Sequence, residues 1–203
     1  MARASNRVDW CMSFPQFKAL LWGVFRNIVE SRERKVVITD EWKKLMQDVS
    51  EWAYNQPTST LLLTGGVGNG KTTILRALND LINLKRFETV GGNESGGQLV
   101  LCQFWNAKEL FTELQNKQMF DKIARLPILA IDDFGTEPVE YMAFGNATNP
   151  LTDMLFKRYE RMNTTLITSN LSVKSMKEKY DERLTDRFRE TTTKIEVTIP
   201  SYR

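Results

Sequence analysis

Eight consecutive residues, Gly65-Gly66-Val67-Gly68-Asn69-Gly70-Lys71-Thr72, fit the pattern G-x-x-x-x-G-K-[ST], and each residue type in it answers a chemical need. Glycines let a backbone take positive φ and approach an oxygen closely, which a Cβ prevents. A lysine brings a mobile point charge to terminal phosphates, and a threonine offers its hydroxyl to a magnesium ion. Thr73 leads into Ile74, Leu75, Leu78, Leu81 and Ile82 at helical spacing, while residues 59–64 before the glycines read as a buried strand. Strand, glycine turn and helix N-terminus aim backbone N–H groups and the positive end of the helix dipole at one point, where an anion is held. Residues 65–73 are therefore expected to bind a nucleoside triphosphate.

Three further groups could complete such a site. Residues 127–133 are an apolar strand ending in two carboxylates. Beside a phosphate loop, Asp132 is expected to hold magnesium through water and Asp133 to polarise the attacking water, with Glu137 the rival for the second task. Residues 164–168 form a β-branched strand that ends in Ser169-Asn170. The Asn170 amide reaches a γ-phosphate or the attacking water if that strand lies beside the first; otherwise it is an ordinary strand cap. Arg183, Arg187 and Arg189 sit among Asp181, Glu182, Asp186 and Glu190, which by itself describes a solvated ion-pair helix.

The elements that must position these groups alternate along the chain. Residues 1–13 carry no periodic pattern and read as weakly structured. Phe14, Phe17, Leu21, Val24, Phe25 and Ile28 make a helical stripe, broken by the charged run Ser31-Arg32-Glu33-Arg34-Lys35. After the short extended piece 36–38, Asp40 is expected to cap a second helix whose Trp42, Leu45, Met46, Val49, Trp52 and Ala53 repeat at three and four, ending before Pro57. This aromatic stripe is expected to pack on the core that follows. Residues 88–97, with four glycines, read as a mobile surface loop, and 99–104 as a second buried strand. A helix from about Asn106 presents Leu110, Phe111 and Leu114; residues 144–150 read as a polar loop; Leu151, Met154, Leu155 and Tyr159 mark another helix. Helical pieces at 173–180 and 182–190 precede an alternating fifth strand at 194–199. Strands alternating with helices are the signature of a parallel sheet between helical layers.

Composition excludes several chemistries. The 203 residues contain no histidine, so histidine-based catalysis and His-containing metal sites are ruled out for them. Cys11 and Cys102 lie far apart, too few for a zinc site and consistent with a reducing, cytoplasmic setting. A net charge of +3 permits a nucleic-acid partner without arguing for one, because 25 acidic residues accompany 28 basic ones. No apolar run approaches the ~20 residues that span a bilayer, and residues 1–7 lack the apolar stretch of a secretory signal.

The stretches GGVGNGKTT at 65–73, ILAIDDFGTEP at 128–138, TLITSNLS at 165–172 and YDERLTDRFRE at 180–190 together resemble the AAA+ ATPases. Within them they are similar to the DnaC/IstB group of helicase loaders and transposition helpers, whose usual ending IPSYR also resembles. The likeness spans residues 57–203, an expected ATPase core, with 1–56 as a short helical lead-in. The resemblance implies an α/β P-loop NTPase with a five-stranded parallel sheet in order 5-1-4-3-2 between helices. It implies ATP and Mg2+ as ligands, with Thr72 and Asp132 on the metal and Asn170 facing the γ-phosphate. Arg187 would project into the nucleotide of a neighbouring subunit, so the chain would self-associate on ATP. Three departures stand out: Asp133 occupies a position where many AAA+ members have Glu, no C-terminal helical lid follows the fifth strand, and the lead-in is short for a helicase-binding domain.

The resemblance implies a slow, DNA- or partner-stimulated ATPase of DNA replication, gripping single-stranded DNA and handing over a replicative helicase or a transposase. Lys108, Phe111, Lys117, Phe120, Lys122 and Arg125 are candidate DNA contacts, although an amphipathic helix explains them equally well. The alternatives are a small P-loop kinase and a nucleotide-gated adaptor with little hydrolysis.

Overall fold

Thr60–Thr64 (β1) is buried at all five positions, as required of a strand covered by helices on both faces. The computed structural model describes residues 8–90, 102–143, 146–180 and 182–199. In it β1 pairs in parallel with Thr164–Ser169 (β6) on one side and Thr192–Glu196 (β7) on the other. Next to β6 lies Ile128–Phe134 (β3), and Gln103–Asn106 (β2) closes the edge, again in parallel. The order is β2-β3-β6-β1-β7. Numbered among themselves along the chain, these five strands stand in the expected order 5-1-4-3-2. Tyr141–Ala143 (β4) and Asn146–Thr148 (β5) form a separate antiparallel pair.

The period of two in a strand sorts its side chains into two cores. Leu61, Leu63, Ile128, Ala130 and Leu166 face Phe14–Glu30 (α1), Asp40–Asn55 (α2) and Lys71–Val90 (α3). Leu62, Leu129, Ile131 and Ile167 face the other layer. That layer is built from Ala107–Glu113 (α4), Lys117–Ala124 (α5), Pro150–Glu160 (α6), Val173–Lys179 (α7) and Glu182–Thr191 (α8). Phe17, Leu21 and Phe25 of α1 and Trp42, Met46 and Val49 of α2 join the first core, so the aromatic stripe of the N-terminal helices is packed inward. The Trp22 and Trp42 rings meet edge-on at 3.9 Å.

Several boundaries differ from the sequence-based expectation. Thr39, not Asp40, is the N-cap of α2: its side chain accepts from the Trp42 N–H, and Asp40 is already helical. Residues 8–13 are held in place, because Trp10 is buried and its Nε1 donates to the Ala53 carbonyl (2.9 Å), while Tyr54 OH donates to Met12 O (2.8 Å). Residues 88–90, expected in the glycine-rich loop, belong to α3, which continues to Val90; residues 91–101, the rest of that expected loop and the first part of the expected second strand, lie outside the described residues. The expected polar loop 144–150 contains β5, and residues 144–145 lie outside the described residues. The fifth strand begins two residues earlier, at Thr192, and its pairing reaches Val197, whose N–H donates to Thr64 O (2.7 Å).

One buried cation ties the second layer to the sheet. Arg158 is 1% exposed; Nε donates to Thr165 Oγ1 (3.0 Å), Nη1 to the carbonyls of Ile123 (3.3 Å) and Leu126 (2.7 Å), and Nη2 to Thr164 O (2.5 Å). Burial pushes its pKa down to about 9, which leaves it charged at neutral pH. Arg158→Met keeps much of the volume but strips these carbonyls of a charged donor. It is expected to cost about 2–4 kcal/mol, read as a lower urea midpoint; an unchanged midpoint would show that packing alone holds α5, α6 and β6 together.

Candidate nucleotide-binding site

The turn from β1 into α3 is fixed by its backbone and by β7. Gly65 has φ +143°, and a Cβ there would stand 2.3 Å from the Val197 carbonyl oxygen and 2.7 Å from Asn69 Nδ2. Gly68 and Gly70 both have φ +86°. Gly66 departs from the sequence reading: its φ is not positive, and a Cβ there would meet nothing within 4 Å. Asn69 is buried, with Nδ2 donating to Val197 O, so the end of the edge strand anchors the turn. Val67 stands exposed at its tip.

Lys71 folds back over this turn. Its three donors are matched by three acceptors: Gly65 O (2.8 Å), Gly66 O (2.6 Å) and Asn69 Oδ1 (3.0 Å). Burial lowers its pKa, and the charges of Asp133 and Asp132 act in the opposite direction. A cleft of about 330 Å³ opens beside it, lined by Gly68–Thr73, Asp133 and Asn170.

Asp132 is a buried hub behind the lining residue Thr72. One carboxylate oxygen accepts from Thr72 Oγ1 (3.0 Å) and from Thr168 Oγ1 (2.6 Å), and Thr168 Oγ1 in turn accepts from the Asp133 N–H (2.9 Å). Strand alternation alone would send Asp132 and Asp133 to opposite faces. A bulge prevents this, since Ile131 pairs with Ile167 but Phe134 with Ser169, and Asp133 takes a left-handed φ of +57°. Asp133 thereby lines the cleft; its carboxyl pKa is raised, by burial first and by the neighbouring Asp132 charge second. Thr72 and Asp132 set a hydroxyl beside a carboxylate, a donor pair that suits Mg2+, which is usually held by one or two carboxylates, phosphates and water. Among the described residues there is no cluster of three or more His, Cys, Asp or Glu side chains that could hold a metal.

Glu137 is not brought to this cleft. It is 2% exposed, accepts from Gly135 N (2.8 Å) and Tyr180 OH, and lies 4.0 Å from Lys179 Nζ. It closes the turn after β3. Arg187 is also apart from the cleft: it is exposed on α8, donates to Tyr159 OH (2.9 Å), stacks 4.8 Å over that ring and faces Glu190 at 3.9 Å. Of the candidate DNA contacts, Phe111 is buried in the second core and has no face to offer a base. Lys108, Lys117, Lys122 and Arg125 are exposed, and Phe120 carries Lys157 Nζ 4.4 Å above its ring. A larger groove of about 740 Å³ between α2 and β7 contains none of the candidate residues.

Sequence reasoning missed three contributors. Thr168 was visible only as part of a β-branched strand, although a hydroxyl at the end of a strand beside an Asp-bearing strand is a usable signal. Arg32 and Arg34 also line the cleft, from a charged run that reads only as a helix break.

No family model matches the sequence, and no curated protein matches it. Solved structures do. DnaI is 21% identical over 80% of this chain and 88% of its own, with a TM-score of 0.56. The DnaC helicase loader is 17% identical over 80% of this chain and 93% of its own, with a TM-score of 0.61. The chain has an AAA+ fold. The replication initiator DnaA, in a structure bound to AMPPCP and single-stranded DNA, is 14% identical over 81% of this chain, which spans about half (49%) of DnaA, with a TM-score of 0.53. Among the described residues no helix is long and apolar enough to cross a membrane.

The two adjacent glycines make opposite predictions. Gly65→Ala sets a Cβ against the Val197 carbonyl in a backbone region that costs an L-residue about 1–3 kcal/mol, so its melting temperature and nucleotide affinity should both fall. Gly66→Ala should melt with the unmodified protein. Equal melting of both variants would show that β7 does not brace the turn.

Proposed function

We propose that this chain is an ATPase acting in DNA replication, in the manner of a DnaC-like helicase loader or an IstB-like helper. The observation that carries this reading is the convergence of Lys71, Thr72, Asp133 and Asn170 on one cleft, with Asp132 bonded to Thr72, at the ends of three adjacent parallel strands. In this reading residues 57–203 carry the ATPase and residues 1–56 lead into it. Gly65–Thr73 cradle the phosphates of ATP, and Lys71 exchanges its loop carbonyls for the terminal phosphates. Thr72 and Asp132 hold Mg2+, which when bound offsets charge developing on the transferred phosphoryl group. Asp133 orients the attacking water, because Glu137 is already engaged by Tyr180 and Gly135. Asn170 faces the γ-phosphate from the strand between the two others.

Arg187 lies outside its own cleft, so the nucleotide it serves is that of a neighbouring copy, where a charge on the γ-phosphate is worth ~10³-fold or more in rate. ATP thus favours self-association. Single-stranded DNA is the proposed nucleic-acid partner, and a replicative helicase or a transposase the proposed protein partner. A second reading, a nucleotide-gated adaptor with little hydrolysis, is favoured by the short Asp133 side chain standing where a longer Glu is common, on a left-handed backbone.

The test is phosphate release from ATP with and without single-stranded DNA. For the ATPase reading, DNA should stimulate turnover, Arg187→Ala and Lys71→Ala should each be inactive alone, and a mixture of the two should recover part of the rate. For the adaptor reading, Lys71→Ala should abolish function while Asp133→Asn leaves it intact. Turnover that ignores both DNA and Arg187→Ala would reject the AAA+ mechanism.

A further inference from the structure

The nucleotide cleft has a wall that none of the four sequence motifs supplies. Arg32 and Arg34, from the turn that ends α1, line it together with Lys71 and Thr73, above an apolar floor of Phe25 and Val29. The turn that presents them is a built one. The Arg34 N–H donates to Val29 O (3.4 Å) and the Glu33 N–H to Glu30 O (2.9 Å), with Glu33 left-handed at φ +58°. This is the paired bonding of a Schellman stop, made here with glutamate where glycine is usual. The helix therefore ends at a fixed place, with two guanidinium groups facing the cleft.

Which part of a nucleotide they would meet follows from the first turn of α3. Successive helical residues diverge by about 100°. Accordingly, the Thr72 hydroxyl turns to Asp132, while the Thr73 hydroxyl accepts from Arg32 Nη1 at 3.4 Å. Lys71, Asp133 and Asn170 mark the end of the cleft where the terminal phosphate is transferred. Arg32, bonded to Thr73 and not to the Thr72–Asp132 pair, and Arg34 on the same helix-ending turn would then meet the phosphates attached to the nucleoside. Both arginines are exposed, and among the described residues neither has a carboxylate within ion-pair distance.

We propose that Arg32 and Arg34 form a clamp, within the same chain, on the α- and β-phosphates of the bound nucleoside di- or triphosphate. The proposal rests on the nucleotide-binding reading and adds a binding subsite to it. Guanidinium suits the task, since it offers a planar fork to two phosphate oxygens at once. Because α1 packs along α3 in the first core, occupancy of the clamp also ties the N-terminal helices to the nucleotide state.

The test is titration of fluorescent ADP and ATP into the unmodified full chain, Arg32→Ala, Arg34→Ala and the double variant. Both side chains are exposed, so all variants should melt like the unmodified protein. Each single substitution should weaken ADP and ATP by the same factor, roughly tenfold, and the double variant by more. Unchanged ADP affinity in the double variant would overturn the clamp while leaving the nucleotide reading intact. Weakening of ATP alone would also overturn it, because the contact would then be at the terminal phosphate. Failure of the unmodified protein to bind either nucleotide would overturn both readings.

Discussion

A single carboxylate oxygen, on Asp132, joins the three central strands at their chemical end. It accepts hydroxyl protons from Thr72, at the start of α3, and from Thr168, at the end of β6. Hydrogen bonds to a charged acceptor contribute about 1.5–3 kcal/mol each, and Asp132 is only 6% exposed, so little water competes for it. In this sheet β6 lies between β1 and β3, so Thr168 and Asn170 stand between the phosphate turn and the carboxylate-bearing strand. The sheet order is thus the constraint on which the site depends.

Around this hub the cleft is assembled from devices that act through the backbone. The bulge at the end of β3 lets two successive aspartates face one region, at the expense of a left-handed residue, a region aspartate tolerates better than most. On the far side, β7 holds the glycine turn: Val197 donates to Thr64 and accepts from Asn69. The edge strand therefore braces the phosphate turn although it carries no candidate catalytic residue. Glu137, Tyr180 and Lys179 form a second polar knot that fixes the turn after β3, with the Tyr180 ring stacked 4.7 Å on Phe134. Burial, and then the Glu137 charge, drive the Tyr180 hydroxyl strongly upward in pKa, so it remains a donor.

The N-terminal helices share the first core with β1 and α3 and add the turn at Arg32 and Arg34 to the cleft rim. Trp10, Phe17, Tyr54 and the Trp22–Trp42 pair make that core aromatic-rich, which gives large buried area at low conformational cost. α1 packs along α3, which begins at Lys71.

By itself the sequence determined the glycine turn and the alternation of strands with helices, and the resemblance implied the strand order that the sheet has. Those are short-range or pattern properties: apolar runs of strand length, a fixed spacing of glycine, lysine and threonine, and the resemblance built on them. It did not decide which side chains at those positions meet. Asp132 and Asp133 were given separate tasks, but not the bulge and left-handed backbone that turn Asp133 to the cleft, because a bulge is invisible in residue types. Glu137 reads as a candidate water activator, and nothing near it in the chain shows its hydrogen bond with Tyr180, 43 positions away. Gly66 looked equivalent to Gly65, yet only Gly65 meets a carbonyl from β7. Arg32 and Arg34 read only as a charged break after a helical stripe, since nothing local shows that α1 lies against α3. Each of these was settled by contacts between segments far apart in the chain, which local spacing does not encode.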